Sequence, residues 1–584
     1  MLRRENYPRP DMIRERWMDL NGKWKFRFDD EEKGEREQWF GKGLEETVEI
    51  QVPFCYQSEA SGVEDKSFHE VLWYERTIEL PRPEAQGCLL HFGGADFETT
   101  VWVNGCYAGR HRGGNCAFSI DVSQYVVFGK ENRITVRCRD SRDCVQPRGK
   151  QFWGEKGERI WYTPVSGIWK NVWMEFTGGV YVKRLLVTPD IDRRCVQAEL
   201  GLSRFDQNRE YCVTAVVSHE GETVKSVKVS LPERCSTITV DIPEGDYADE
   251  IQYWSPEHPW LYDFSVSIEE DGIVQDKVDS YFGMRKISVR GKQILLNNKP
   301  YVQRLVLDQG YWKETLLTPP DAEALERDIL LAKQMGFNGA RKHQKVEDAR
   351  YYYLADKLGF LVWGEQPSAY RFCTEEMENL ISEWEETVLE LYNHPSVVVW
   401  VPLNESWGVR NIVTDKKQQM FASCLYRMTK ALDPIRLVSN NDGWEQIEDS
   451  DICGIHDYTA AGDALTEKFA DFEARVRGCA EHRLLYSEGH TYQEKPVLLT
   501  EFGGIAFESE CEEDWGYYGT VKDEAEFFER FGSVVTAAGR LNGFSGYCYT
   551  QLTDVFQETN GLLNFDRSSK VDLEMIRNIV KAEE

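Results

Sequence analysis

Two glutamates in this chain stand where a run of strand-forming residues stops. In Asn393-His394-Pro395-Ser396-Val397-Val398-Val399-Trp400-Val401-Pro402-Leu403-Asn404-Glu405-Ser406 the run ends at Glu405, and Pro496-Val497-Leu498-Leu499-Thr500-Glu501-Phe502-Gly503-Gly504 delivers Glu501 to a glycine-rich bend. Cleaving a glycosidic bond passes through an oxocarbenium-like transition state, which needs a proton donor at the leaving oxygen and a carboxylate beneath the anomeric carbon. Glutamates at the C-terminal ends of two buried parallel strands meet that need, Glu405 as acid/base and Glu501 as nucleophile, if their carboxyl groups stand about 5–5.5 Å apart. For the donor role we expect the Glu405 pKa to be raised by the charge of Glu501 and by partial burial, and to fall once Glu501 is glycosylated.

The elements that must position these groups follow from the rhythm of the chain. After about residue 290, strand candidates alternate with helical segments such as Asp321 to Met335, Ala349 to Lys357, Met377 to Tyr392 and Lys416 to Lys430, which implies a parallel sheet. The strands are Tyr301 to Val306, Gly336 to Ala340, Phe360 to Trp363, Ser396 to Pro402, Ile435 to Ser439, Asp451 to His456, Pro496 to Thr500 and Asn542 to Tyr549. That number of strands in this length predicts a (β/α)8 TIM barrel over 288–584, with Glu405 after the fourth strand and Glu501 after the seventh.

Upstream the pattern is all β. Trp73 to Leu80, Cys88 to Phe92, Thr99 to Val103, Arg133 to Cys138 and Val172 to Phe176 predict a β-sandwich of jelly-roll type over 1–180, with Asn104-Gly105 as a hairpin turn. Tyr181 to Thr188, Val196 to Leu202, Tyr211 to Ser218, Val224 to Leu231, Thr237 to Val240 and Leu261 to Ile268 predict a smaller immunoglobulin-like sandwich over 181–287.

Composition narrows the partners. The 584 residues exceed one core and divide into about three or four domains on the usual size expectation. A net charge of −30 opposes binding to nucleic acid or anionic lipid. The amino terminus has no apolar segment of signal-peptide length and no stretch of about 18 apolar residues occurs, so a cytoplasmic protein without membrane association is expected. The 15 cysteines contain no CxxC pair, which predicts reduced, mostly buried thiols with neither a disulfide framework nor a zinc site.

Taken together, these motifs resemble glycoside hydrolase family 2, the β-galactosidases, β-glucuronidases and β-mannosidases. Trp73-Tyr74-Glu75-Arg76, Thr99-Thr100-Val101-Trp102-Val103-Asn104-Gly105, His111-Arg112-Gly113-Gly114 and Ser166-Gly167-Ile168-Trp169 look like its N-terminal sugar-binding sandwich. Phe282-Gly283-Met284-Arg285-Lys286 and Leu295 to Pro300 look like its junction into the barrel, Asn393 to Glu405 like its acid/base signature, and Thr500-Glu501-Phe502-Gly503 like its nucleophile signature. The resemblance implies a retaining exo-glycosidase without an organic cofactor. It further implies that Asn404 bonds the sugar 2-hydroxyl, that Arg341 bonds the nucleophile, and that His456 and Tyr458 bond the nucleophile or a sugar hydroxyl.

Departures from the family bear on the substrate. Arg304-Leu305-Val306-Leu307-Asp308-Gln309 replaces the usual Arg-Gly-Val-Asn-x-His, Arg341-Lys342-His343-Gln344 replaces Arg-x-Ser-His, and Asn564-Phe565-Asp566 lacks the Asn-x-Lys pair of β-glucuronidases. Trp363, Trp407, Trp444, Tyr549 and Phe556, at or beyond strand ends, are candidate sugar-stacking faces. The basic group of Arg304, Arg341, Lys342, His343 and Lys345 at the mouth has two readings. Lys342 and Lys345 pair with Glu347, Asp348 or Glu365, or Arg304 or Lys342 holds a substrate carboxylate.

The expectation is therefore a retaining exo-β-glycosidase, acting on a small glycoside or oligosaccharide with no cofactor and no metal, and assembling as a homo-oligomer (dimer or tetramer). Its sugar is a β-galactoside first, a β-uronide such as a β-galacturonide second and an α-L-arabinoside third. The alternatives in other classes are a non-catalytic carbohydrate-binding protein and an intracellular scaffold. Candidate substrate contacts are Asn404, Arg341, Lys342, His343, His456, Tyr458, Trp407, Trp444, Tyr549, Asp308 and Arg304.

Overall fold

A computed structural model describes residues 4–80, 86–243, 251–480, 482–509, 511, 514–517 and 519–582. The first β unit packs a four-stranded sheet (Trp17–Asp19, Val172–Thr177, Gly87–Phe92, Phe118–Asp121) on a six-stranded one containing Val71–Glu79, Glu131–Arg139, Glu98–Val103 and Cys106–Arg112. The expected hairpin is present, with Asn104 at φ 53° and Gly105 at φ 79° joining the last two strands. Two positive φ values are what a two-residue turn between right-twisted strands demands, and Asn-Gly supplies them at least cost.

The second β unit sets three strands (Val182–Asp190, Cys195–Leu202, Cys235–Asp241) against four (Glu222–Ser230, Tyr211–His219, Tyr262–Glu270, Ile273–Phe282). Strand Tyr211–His219 alternates buried and half-buried residues along its length, as a strand with one face in a core should.

The third unit is the barrel. An eight-stranded parallel sheet runs in spatial order 5-4-3-2-1-8-7-6, through Gln303–Asp308, Gly339–Lys342, Leu361–Glu365, Val397–Val401, Leu437–Val438, Cys453–His456, Val497–Gly503 and Phe544–Thr550. The ring closes between strands five and six where the Asp451 N–H donates to the Val438 carbonyl at 2.8 Å. Val397–Val401 is buried throughout, which is why that sequence is continuously apolar. Each buried Val or Leu contributes about 1.5–3 kcal/mol relative to exposure. The helices between strands start on aspartates: Asp321, Asp348, Asp415, Asp523 and Asp572 each cap a helix by accepting a backbone N–H. Such a cap contributes about 1 kcal/mol.

Two expectations change here. All 15 cysteines are free, but Cys106, Cys235, Cys424, Cys479 and Cys511 are exposed and only Cys55, Cys88, Cys116, Cys138, Cys195, Cys453 and Cys548 are buried. Trp363 lies inside the barrel, its Nε1 donating to Gln303 at 2.7 Å, and not at the mouth. Among the described residues no helix is long and apolar enough to cross a membrane.

Candidate active site

Glu405 and Glu501 meet at the C-terminal mouth of the barrel. Beyond strand four the chain makes a two-residue extension, Leu403–Asn404, paired in parallel with Asn441–Asp442 beyond strand five. The backbone then turns sharply, with Glu405 at φ 52° and Ser406 at φ 59°. Two consecutive left-handed residues of this type cost about 1–2 kcal/mol each. Bonds from the Glu405 N–H to the Asp442 carbonyl (2.9 Å) and from the Ser406 N–H to Asn441 Oδ1 (3.0 Å) hold the bend. Glu501 lies within strand seven, where the register on strand six shifts between Ile455 and His456; this bulge sets Glu501 opposite His456 and aims it into the mouth.

An ion cluster joins the two glutamates. Arg341, at the end of strand two, donates from Nε to Glu365 (2.6 Å), from Nη2 to Asn404 Oδ1 (2.5 Å) and from Nη1 to Glu501 (3.1 Å), and lies 2.7 Å from Asp442. Tyr458 donates to the other Glu501 oxygen at 2.7 Å. His456 Nδ1 lies 2.7 Å from Glu405 and 3.4 Å from Glu501, and its Nε2 faces Asp442 at 3.0 Å.

These contacts fix the charges. Burial alone would lower the pKa of His456, but the charge of Glu501 and hydrogen bonds to Asp442 and Glu405 outweigh it and push it up to about 10. The imidazole is thus an imidazolium with a proton on each nitrogen. Burial disfavours the ionised form of Glu405, yet its hydrogen bond to His456 and the charge of that ring hold its carboxyl below the usual range. This corrects the expected raised pKa: in the free site the proton resides on His456, and Glu405 is ionised. Glu365 falls to about 2, burial being outweighed by Arg341 and His343.

Carboxylate and ring atoms of Glu405, His456 and Glu501 lie within 4.8 Å of one another, the only such three-ligand group among the described residues.

Of the other sequence candidates, some converge on the pair. Trp407 donates from Nε1 to Glu405 at 3.3 Å, and Trp444 packs edge-on to His456 with ring centres 5.5 Å apart. His343 is buried against Glu365 at 3.0 Å, and its burial lowers its pKa. Five do not converge. Lys342 is enclosed between Asp308 (2.7 Å) and Glu347 (2.8 Å), which uses both Lys342 and Asp308 internally. Arg304 is the second residue of strand one, with its N–H on Asn338 ahead of strand two, and so lies at the opposite end of the barrel from the glutamates. Tyr549 points outward into the layer between strands and helices, against Phe502 and Phe531. Phe556 packs on Tyr162 and Tyr311 in the contact between the first sandwich and the barrel.

Sequence reasoning missed what the first sandwich brings to the mouth. The connection spanning 140–166 leaves that sandwich and lies on the barrel, setting Trp161 edge-on to Trp407 at 5.5 Å, Tyr162 against the buried Glu558, and the ammonium of Lys150 where its charge acts on Glu405. The signal was present as Arg148-Gly149-Lys150 beside Phe152, Trp153, Trp161 and Tyr162, a cationic and aromatic cluster between strands. Clefts also lie away from the glutamates: one of about 770 Å3 includes Arg285, Lys286 and Lys495, and another of about 440 Å3 includes Trp312 and Arg567.

Comparison with known proteins agrees with this fold. Residues 17–174 match the sugar-binding domain of glycosyl hydrolases family 2, residues 180–285 match glycosyl hydrolases family 2, and residues 287–514 match its TIM barrel domain. A protein named β-glucuronidase from Paenibacillus borealis is 23% identical, with 98% of each chain covered. A protein named β-galactosidase from Thermoanaerobacter pseudethanolicus is 26% identical over 59% of this chain, which spans 46% of that protein. Among solved structures, a β-glucuronidase from Ruminococcus gnavus superposes with a TM-score of 0.78 at 18% identity, covering 99% of both chains. A β-galacturonidase from Eisenbergiella tayi, bound to galacturonate, superposes with a TM-score of 0.76 at 19% identity, covering 98% of both. The chain belongs to glycosyl hydrolase family 2 and is an O-glycosidase.

Proposed function

We propose that this is a retaining exo-β-glycosidase in which Glu501 is the nucleophile and Glu405 the acid/base. The observation that carries the reading is the facing pair itself, with carboxylate oxygens within 4.8 Å. That spacing suits direct attack by one carboxylate, whereas an inverting pair stands about 6.5–9.5 Å apart to admit a water. The side chains of Glu405 and Glu501 are only 16% and 6% exposed, which fits a pocket that admits one terminal sugar.

In the first step Glu501, oriented by Arg341 and Tyr458, attacks the anomeric carbon while a proton passes to the leaving oxygen. That proton comes from Glu405, which receives it from His456 Nδ1 across the 2.7 Å contact as the substrate enters. The C–O bond to the leaving group breaks and an ester to Glu501 forms. In the second step Glu405, again a carboxylate, takes a proton from water, the water oxygen bonds to the anomeric carbon, and Glu501 departs. Asn404, held by Arg341, lies beside the acid/base where the 2-hydroxyl of the bound sugar would stand.

For the sugar, a β-uronide is preferred to the neutral β-galactoside that leads on sequence alone. The relative that matches along the full chain is named a β-glucuronidase, and the β-galactosidase match is partial. A panel of aryl β-galactoside, β-glucoside, β-mannoside, β-glucuronide, β-galacturonide and α-L-arabinoside tests this, with the anomeric configuration of the first product read by NMR. Unchanged hydrolysis by Glu501→Gln, or release of the inverted anomer, would sink the assignment. No cleavage of any glycoside, joined to a sugar-dependent thermal shift, would favour a carbohydrate-binding protein.

A further inference from the structure

We propose that Lys150 is the anion-reading residue of this site, docking a carboxylate of the substrate beside Glu405. The inference deepens the glycosidase reading above and rests on it for the identity of the ligand as a glycoside.

Lys150 is 8% exposed, and among the described residues no hydrogen bond or ion pair engages its ammonium. Its neighbours differ. Lys342 is held by Asp308 and Glu347; Lys345 by Glu347 and the Gly310 and Leu317 carbonyls; Lys170 by the Asn115 and Glu347 carbonyls. Arg148, two residues away, is tied to Asp140 at 2.7 Å. Lys150 is therefore a largely buried side chain whose ammonium no carboxylate neutralises by contact, and which is left available to a bound anion.

The position is built. The Arg148 and Gly149 N–H groups both donate to the Ser368 carbonyl at 3.0 Å, and the Tyr162 N–H donates to the Lys150 carbonyl at 2.7 Å. Gly149 has φ +58°, and a Cβ there would stand 2.3 Å from the Gln344 carbonyl oxygen, so only glycine lets the loop seat this closely on the barrel. The charge of Lys150 acts on Glu405, His343 and Glu558, which places it over the mouth. Neither Glu405 nor Glu558 approaches within ion-pair distance of it.

The ligand chemistry follows from the surroundings. A single ammonium whose charge acts on Glu405 and Glu558 suits a monoanion that makes one charge-assisted hydrogen bond better than a dianionic phosphate. A carboxylate fits, carried either by the terminal sugar, as in a β-uronide, or by an acidic aglycone.

The test compares wild type, Lys150→Met and Lys150→Arg on matched aryl glycosides: β-galacturonide against β-galactoside, β-glucuronide against β-glucoside, and neutral β-glycosides with and without a carboxylate on the phenol. The expected result is a fall of roughly 10- to 100-fold in the ratio of kcat/KM for charged over neutral substrate in Lys150→Met, with most of it recovered in Lys150→Arg. A fall confined to the uronides assigns the carboxylate to the sugar; a fall confined to the phenol acids assigns it to the aglycone. A ratio unchanged within twofold in every pair overturns the proposal. If wild type cleaves nothing, the glycosidase reading fails separately. Lys150 is then judged by the thermal shift from galacturonate and glucuronate against galactose and glucose: a carboxylate-dependent shift lost in Lys150→Met supports it, and no such shift in wild type overturns it. Should Lys150→Met not fold, Lys150→Gln carries the same comparisons.

Discussion

The Nδ1 of His456 lies 2.7 Å from the Oε1 of Glu405, on a ring whose other nitrogen is held by Asp442 at 3.0 Å. One imidazolium thus stores, against Glu405, the proton that Glu405 would give away in the proposed mechanism. Its pKa is raised from 6.5 to about 10, so its contribution to stability is complete below about pH 6.5 and is lost as pH rises through about 10. Glu405, depressed from 4.5, contributes above that value and loses its contribution as pH falls through its lower folded value. The difference in Tm between wild type and His456→Gln should accordingly be widest near pH 6 and narrow towards pH 10. A difference constant across that range would mean that the ring is neutral.

Replacing Glu405 by Ala should leave the first step feasible for an aryl glycoside with a good leaving group and cripple the second. Turnover should fall roughly 10²- to 10⁴-fold. Added azide, which needs no base, should restore turnover and give a glycosyl azide of retained configuration. Glu501→Gln should lose roughly 10³-fold or more, with no azide rescue of that kind. Product analysis by NMR separates the two roles, and azide rescue in the Glu501 variant instead would exchange them.

Gly443 gives His456 its room. A Cβ at this residue, whose φ is +106°, would stand 2.8 Å from His456 Nδ1. Gly443→Ala should destabilise the fold by about 1–2 kcal/mol through backbone strain. It should also displace the ring from Glu405 and lower kcat about tenfold or more, with less effect on KM. Urea melts combined with steady-state kinetics check both; a variant that loses stability but keeps kcat would show that the ring need not sit there.

Lys342→Met offers a contrast with Lys150. It leaves Asp308 and Glu347 buried beside a missing partner, which should cost about 3–5 kcal/mol. The preference between charged and neutral glycosides should stay as in wild type, because Lys342 is spent inside the barrel. Chemical denaturation and the matched aryl pairs measure the two effects, and a changed preference would return Lys342 to the binding site.

The parts of this molecule legible in sequence were those set by local pattern. All eight barrel strands were legible through their alternation with helical segments, Val397–Val401 most plainly because a strand buried on both faces can be continuously apolar, and Asn104-Gly105 specified its hairpin through backbone geometry. Glu405 and Glu501 were legible because each ends or interrupts such a strand. Arg304 was misplaced because the mouth is set by the end of its strand at Asp308, not by its beginning. Tyr549 was misplaced by strand alternation, with neighbouring Cys548 facing the barrel interior and Tyr549 facing the helices. The sign of the Glu405 shift depended on His456 and Asp442, which reach it from other strands. Lys150 was invisible as a site residue because its nearness to Glu405 is created by one domain settling on another.

That settling has a consequence for how such an enzyme can diversify. The facing glutamates and the ammonium of Lys150 are carried on separate domains, the first at the barrel's strand ends and the second on the sandwich connection spanning 140–166. Redrawing that connection therefore reshapes the mouth as well, since Trp161 packs on Trp407 and Tyr162 bonds Glu558, and a transplanted connection has to bring those contacts with it.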